Sequence, residues 1–224
     1  MQIKAAIFDM DGTLVDSLML WDIFWTTFGA KFMGGKKFVP RTEDDKAVRT
    51  LPLKEAMELI HDRYGFGENG AELLAVATAI MENFYSTQVQ LKQGVREFLE
   101  DLAAKHVKMC IASATAPDLI GLTMKHLDLE KYFPAVFSCG GTGKGKESPD
   151  VFLRAQAYLG TEIPETWVFE DSLVAIQTAA SLGMKTVAIY DQYNYGQDEM
   201  QRIADFYIAK GETLLKLPEI EENP

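Results

Sequence analysis

"AAIFDMDGT", residues 5–13, joins a short run that is apolar throughout to two acids, a glycine and a threonine. A run of four apolar residues without alternation reads as a strand covered on both faces. Asp9 and Asp11 stand two apart, so on extended backbone their side chains share a face, and Gly12 lets the chain turn sharply. Read alone, the segment is equally a strand ending in an Asp-Gly turn. The other strands decide between these readings.

Further strand-like runs fall at Met109 to Ala112, Ala135 to Phe137, Thr166 to Phe169 and Thr186 to Tyr190. Helical patterns separate most of them, at Val95 to Lys105, Pro117 to His126, Pro149 to Leu159 and Ser172 to Leu182. This alternation predicts βαβ units and a parallel sheet, an α/β, Rossmann-like three-layer core. It is absent between about Asp16 and Val89, where only helices are expected: Ser17 to about Lys31, Leu53 to about Tyr64 and Gly70 to about Thr87, with a loop rich in Gly, Lys and Asp between the first two. The organisation expected is a core domain of residues 1–15 and 90–224 and an inserted helical cap of residues 16–89, with a frayed acidic tail at "LPEIEENP".

Ligands of an open parallel sheet bind outside the carboxyl ends of its strands. Asp9-Met10-Asp11-Gly12-Thr13 follows the first strand, Ser113 the second, Lys144 and Lys146 the third, and Glu170-Asp171 the fourth. Singly, each has a plainer reading. Glu170-Asp171 suits a helix amino terminus, and Ser-Ala-Thr before Pro117 suits a cap. Jointly, three or four carboxylates on one rim repel one another unless a divalent cation sits among them, and an all-oxygen set suits Mg²⁺.

Gly140 to Lys146 also reads G-x-x-x-x-G-K, as in a nucleotide-binding loop, but Glu147 stands where such a loop needs a metal-binding hydroxyl. Ser148-Pro149-Asp150 then reads as cap, first-turn proline and dipole-matched acid, which leaves Lys146 in the loop before the helix. Its expected task is to neutralise phosphate and acid charge.

The 224 residues carry a net charge of −11 with a pI near 4.8, which argues against nucleic acid as a partner. An anionic substrate would then need a metal and a few placed cations. No apolar window approaches a membrane span and the amino terminus lacks a signal-peptide layout, so a cytoplasmic protein, monomeric or weakly dimeric, is expected. Cys110 and Cys139 lack disulfide or zinc spacing, and His61, His106 and His126 fall in polar helical surroundings unsuited to nucleophile activation.

With these motifs in order, the chain resembles the haloacid dehalogenase-like hydrolase superfamily over essentially its whole length. Asp9-Met10-Asp11-Gly12-Thr13 is similar to D-x-D-G-T/V, Ser113 to the family's strand-ending Ser/Thr, Lys146 to Asp150 to K-P-x-P-D, and Glu170-Asp171-Ser172 with Gly183 to E-D-S before a helix ending in Gly. The resemblance implies Asp9 as nucleophile through an aspartyl phosphate and Asp11 as general acid and base. It implies Mg²⁺ held by Asp9, the Asp11 backbone carbonyl and Asp171, with Glu170 as ligand or support. Ser113, Lys146 and backbone N–H groups near Gly12, Thr13 and Ala114 would receive the phosphoryl oxygens of a small phosphorylated substrate. Departures are Glu147 for a proline, Lys144 as a competing cation and Ala175 for a glycine.

The subgroup implied contains sugar-phosphate phosphatases and β-phosphoglucomutase. Trp21 stands where a mutase would carry a His; its ring suits substrate cover or, with Trp25 and Phe28, core packing. Arg49 and Lys54 are candidate substrate contacts or a solvated surface. A fold retained for binding without turnover is the non-enzymatic alternative, although Asp9, Asp11 and Asp171 are all present.

Overall fold

The computed structural model describes residues 1–49, 51–139 and 144–221. They form two compact units, one of Met1–Leu18 with Val89–Pro224 and one of Met19–Gln88.

The first unit is built on a parallel sheet. In chain order its strands are β1 (Ala5–Phe8), β4 (Lys108–Ser113), β5 (Val136–Ser138), β6 (Thr166–Glu170), β7 (Lys185–Ile189) and β8 (Phe206–Ile208), arranged β5-β4-β1-β6-β7-β8. Two-residue strands β2 (Val15–Asp16) and β3 (Gln90–Leu91) pair antiparallel where the chain leaves and re-enters this unit. The helices are α5 (Val95–Ala104), α6 (Pro117–His126), α7 (Asp150–Leu159), α8 (Leu173–Leu182) and α9 (Gln197–Ile203).

The apolar strands alternate between two covered faces, as their lack of polar positions requires. Ala5 and Ile7 of β1 pack with Cys110, Ala112 and Val168 against Phe152 and Ala155 of α7 and Ala175 and Ala179 of α8. On the opposite side Phe8 stacks on Phe169 at 4.4 Å and meets Phe98 of α5 and Phe133 edge-on. Each fully buried ring or branched chain contributes about 1.5–3 kcal/mol by leaving water, which makes the middle of the sheet the anchor of this unit.

The second unit contains α1 (Leu20–Phe32), α2 (Thr42–Val48), α3 (Leu53–Tyr64) and α4 (Gly70–Thr87). Phe24 and Phe28 of α1 are buried with Phe38, Met57, Ile60, Leu73 and Ala77. Gly29 is required by proximity, since a Cβ there would lie 2.2 Å from the Phe38 backbone nitrogen. Asn69 caps α4 by accepting from the Glu72 N–H at 3.0 Å, and the Glu72 carboxylate accepts from the Glu68 N–H at 2.7 Å. Asp44 is fully buried yet bonded by Arg41 at 2.9 Å, the Tyr64 hydroxyl at 2.6 Å and Arg63.

Several details differ from the expectations. The polar loop of the insertion contains α2, ordered through buried Asp44. Helix α1 starts at Leu20, three residues after the expected start at Ser17, and the Ser17 hydroxyl is bonded to Asp11. At α7 no side chain caps the first turn, so Ser148 is not its cap. The segment expected to fray is tied down as far as Glu221: Ile220 is 4% exposed, and the Glu221 N–H donates to the Met1 carbonyl at 3.0 Å. Residues 222–224 of that tail, and Gly140 to Gly143 of the glycine-rich loop, lie outside the described residues. No helix among the described residues is long and apolar enough to cross a membrane.

Candidate active site

Strand register brings the acids together. Phe8 pairs with Ile111 on one side and Phe169 on the other, so Asp9 emerges level with Ala112 and Glu170. The Asp9 N–H continues the ladder to the Phe169 carbonyl at 3.0 Å. Asp9, Glu170 and Asp171 are all buried, and each brings one carboxylate oxygen within 4.8 Å of the others.

Lys146 reaches into this cluster. Its Nζ donates to Asp9 Oδ1 at 2.6 Å and to Glu170 Oε1, with the side chain 10% exposed. Lys144 instead pairs on the exposed side with Asp150 at 3.0 Å. Of the two loop lysines, Lys146 is therefore the one among the carboxylates. Burial pushes its ammonium pKa down, but Asp9 and Glu170 outweigh that and hold it above the usual lysine range.

The acids respond in the opposite sense. Burial, reinforced by Asp9, pushes Glu170 up to about 7 against the pull of Lys146 and the Ser172 N–H. Burial, then the neighbouring Glu170 and Asp9, raises Asp171 well above the ordinary aspartate range. Fully ionised, three carboxylates and one ammonium leave a formal −2. That deficit, the all-oxygen donor set and the crowding fit a hard divalent cation.

The loop after β1 is shaped around Asp171. Gly12 has φ +77°, and a Cβ there would lie 1.9 Å from Asp171 Oδ2. The buried Thr13 hydroxyl donates to Asp171 Oδ1 at 3.1 Å. Glu170 Oε2 accepts the N–H groups of Asp171 and Ser172, both at 3.0 Å, which fixes the turn from β6 into α8.

The Asp11 carboxylate faces other partners. Ser17 Oγ donates to its Oδ1 and Thr115 Oγ1 to its Oδ2, each at 2.6 Å. Asp9, Glu170 and Asp171 thus meet, and the Asp11 carboxylate is bonded by two hydroxyls. Ser113, buried at the end of β4, accepts from the Thr115 N–H at 3.2 Å, and exposed Ala114 follows it. No side chain caps α6, so Ser-Ala-Thr serves this rim instead.

In the second unit, Arg49 stacks over the Trp21 ring at 5.2 Å and is held to Asp45 at 2.8 Å, while Lys54 is exposed near the start of α3. Trp25 and Phe28 are buried in that unit's core, and Trp21 packs partly buried beside them. Sequence reading missed Ser17, Thr115 and Asn194. Only Thr115 had a signal, its place after a strand end.

The profile of the haloacid dehalogenase-like hydrolases matches residues 6–189, and the chain belongs to that family. The phosphorylated carbohydrates phosphatase of Thermotoga maritima is 26% identical over 219 residues, spanning 97% of this chain and 99% of that protein. Protein CbbY of Rhodobacter capsulatus is 29% identical over 231 residues, spanning 97% and 100%. Among solved structures, a Thermotoga maritima protein provisionally described as a β-phosphoglucomutase aligns with TM-score 0.76 and 23% identity over 92% of this chain and 94% of that one. CbbY from Rhodobacter sphaeroides in complex with phosphate gives 0.72 and 18% over 92% and 93%. At these identities the structural likeness establishes the fold.

Proposed function

We propose that the chain is a Mg²⁺-dependent phosphatase that hydrolyses a small phosphorylated metabolite, foremost a sugar phosphate, by way of a phosphoryl group on Asp9. The observation that carries this reading is the buried Asp9–Lys146–Glu170–Asp171 cluster at the carboxyl ends of β1 and β6. The relatives named for phosphorylated carbohydrates and 6-phosphogluconate support the substrate class.

Asp9 and Asp171 would hold the cation, with Glu170 as a further ligand or support. Bound there, Mg²⁺ supplies positive charge that offsets the acids and the incoming phosphate. An Asp9 oxygen bonds to phosphorus as the bond to the ester oxygen breaks, and Asp11 gives that oxygen a proton. Water then displaces Asp9 from phosphorus, and its proton passes to Asp11. The hydroxyls of Ser17 and Thr115 aim Asp11. Lys146 holds Asp9 in place and offers charge to the phosphoryl oxygens, and Ser113 retains its hydroxyl hydrogen for the same purpose.

Residues 19–88 are assigned as the cap that selects the leaving group, with Trp21, Arg49 and Lys54 as its candidate contacts. Trp21 cannot shuttle a proton, which favours hydrolysis over return of the phosphoryl group to a second sugar hydroxyl. The test is phosphate release from sugar phosphates, nucleotides and small esters in Mg²⁺ or EDTA, for wild type and Asp9→Asn. Turnover that requires metal and disappears in Asp9→Asn supports the reading; turnover retained in EDTA or in the variant overturns it.

A further inference from the structure

The loop after β7 ends in a side chain that the proposed chemistry does not yet use. Asn194 Nδ2 donates to Asp171 Oδ2 at 2.5 Å and to the Asp171 backbone carbonyl at 3.1 Å. An amide nitrogen has two hydrogens, and both go to this one residue. The opposite amide orientation would set a carbonyl against two acceptors, so the partners themselves fix which way the group faces.

The loop is organised around this contact. Asp191, 4% exposed, accepts from Lys92 at 2.8 Å and from the Tyr193 N–H at 2.9 Å. Gln197 donates to the carbonyls of Asp191 and Asn194, at 3.0 and 3.2 Å, and accepts from the Tyr207 hydroxyl at 2.9 Å. Gly196 packs so closely on α8 that a Cβ would meet Leu173 at 2.5 Å. Tyr193 and Tyr195, on either side of Asn194, are 46% and 71% exposed. Apolar burial does not set the direction of this turn: it leaves two aromatic rings in water and sends the amide between them inward.

From this arrangement we infer that Asn194 is a positioning residue that presents Asp171 to the divalent cation, with Asp191, Lys92 and Gln197 as its brace. Thr13 holds the other carboxylate oxygen, so Asp171 is gripped from the loops after β1 and β7 together. A neutral amide suits this task. It fixes the carboxylate and leaves lone pairs available, whereas a lysine or arginine there would add a positive charge and compete with the metal. This inference rests on the cation-dependent reading of the site.

The test is Mn²⁺ binding followed by electron paramagnetic resonance on the full chain, with melting curves in EDTA and in Mg²⁺. Asn194→Ala is expected to weaken Mn²⁺ binding by about tenfold or more, the usual effect of losing a partner that orients a metal ligand. Its Mg²⁺-induced rise in melting temperature should shrink, while the melting temperature in EDTA stays near that of wild type. In turnover, the Mg²⁺ concentration giving half-maximal rate should rise more than kcat at saturating Mg²⁺ falls. Gln197→Ala, which loosens the brace and leaves Asn194 in place, should weaken Mn²⁺ binding in the same direction and serves as the test if Asn194→Ala does not fold. Wild-type affinity in both variants overturns the inference alone. Absence of Mn²⁺ binding by the wild type overturns the cation-dependent reading and this inference with it.

Discussion

Gly12 and Asp171, 159 positions apart in the chain, are packed so closely that one methyl group on Gly12 would lie 1.9 Å from Asp171 Oδ2. Gly12→Ala would also place a side chain at φ +77°, where L residues are strained. The expected result is a loss of about 1–3 kcal/mol in stability from the clash. Because the displaced group is a proposed metal ligand, Mg²⁺-dependent phosphate release should fall far more than unfolding midpoints do. Denaturation curves and phosphate assays on the same preparation check both parts; turnover near wild type would show that Asp171 need not stay where it is.

Lys146 is the cation bonded to both Asp9 and Glu170. Lys146→Met leaves buried carboxylates facing one another, and removing one partner from a buried ion pair costs about 3–5 kcal/mol. Urea midpoints in EDTA should drop accordingly, and Mg²⁺ should restore more stability to the variant than it adds to wild type. An equal Mg²⁺ effect on both proteins would mean that the lysine and the metal do not answer the same charge.

Two hydroxyls aim Asp11, so removing one should misdirect it without emptying the site. Thr115→Val is expected to lower kcat by about tenfold, a fraction of the 10²–10⁴ that general acid–base groups contribute. KM should change little. Steady-state kinetics with one phosphosugar separates the two; a rise in KM with kcat unchanged would reassign Thr115 to substrate binding.

Asp44 tests the second unit by pH. Burial pushes its carboxyl pKa up, but bonds from Tyr64 and Arg41, with the charges of Arg41 and Arg63, outweigh this and hold it below the usual aspartate value of 3.8. A carboxyl with a depressed folded pKa contributes stability above its unfolded pKa and loses it as pH falls through the folded value. Asp44→Asn should therefore cost about 2 kcal/mol at pH 7, the scale of hydrogen bonds to a charged group. Melting curves should draw together with wild type as pH falls below the usual aspartate value of 3.8; a gap that stays constant would assign the cost to packing.

The sheet and the acid cluster were legible for one reason: the strands are short and apolar, and β1, β4 and β6 carry a functional residue at or directly after their ends. Asp9, Ser113 and Glu170-Asp171 could be placed on one rim from that order alone. Strand β8 escaped because its three residues carry no separate pattern, and α9 because "QDEMQRI" has only Met200 and Ile203 as apolar residues. Helix α2 lay hidden in a polar stretch whose stability comes from a buried acid that only tertiary partners can satisfy. The same holds for Ser17 and Asn194: their bonds reach Asp11 and Asp171 across turns that no local pattern encodes. Ser148 was read as a helix cap because that is how such a residue most often acts in isolation.

The pairing of Val15 with Leu91 and Asp16 with Gln90 gives the 70 residues between Met19 and Gln88 a common doorway. Adjacent strands hold the two ends of the insertion together, so the sheet registers only a closed loop. Closure entropy grows slowly with loop length, so inserts of quite different size could be grafted onto this doorway at similar cost to the sheet. Such a junction lets the inserted segment be exchanged, lengthened or rebuilt while the acid cluster on the sheet stays fixed.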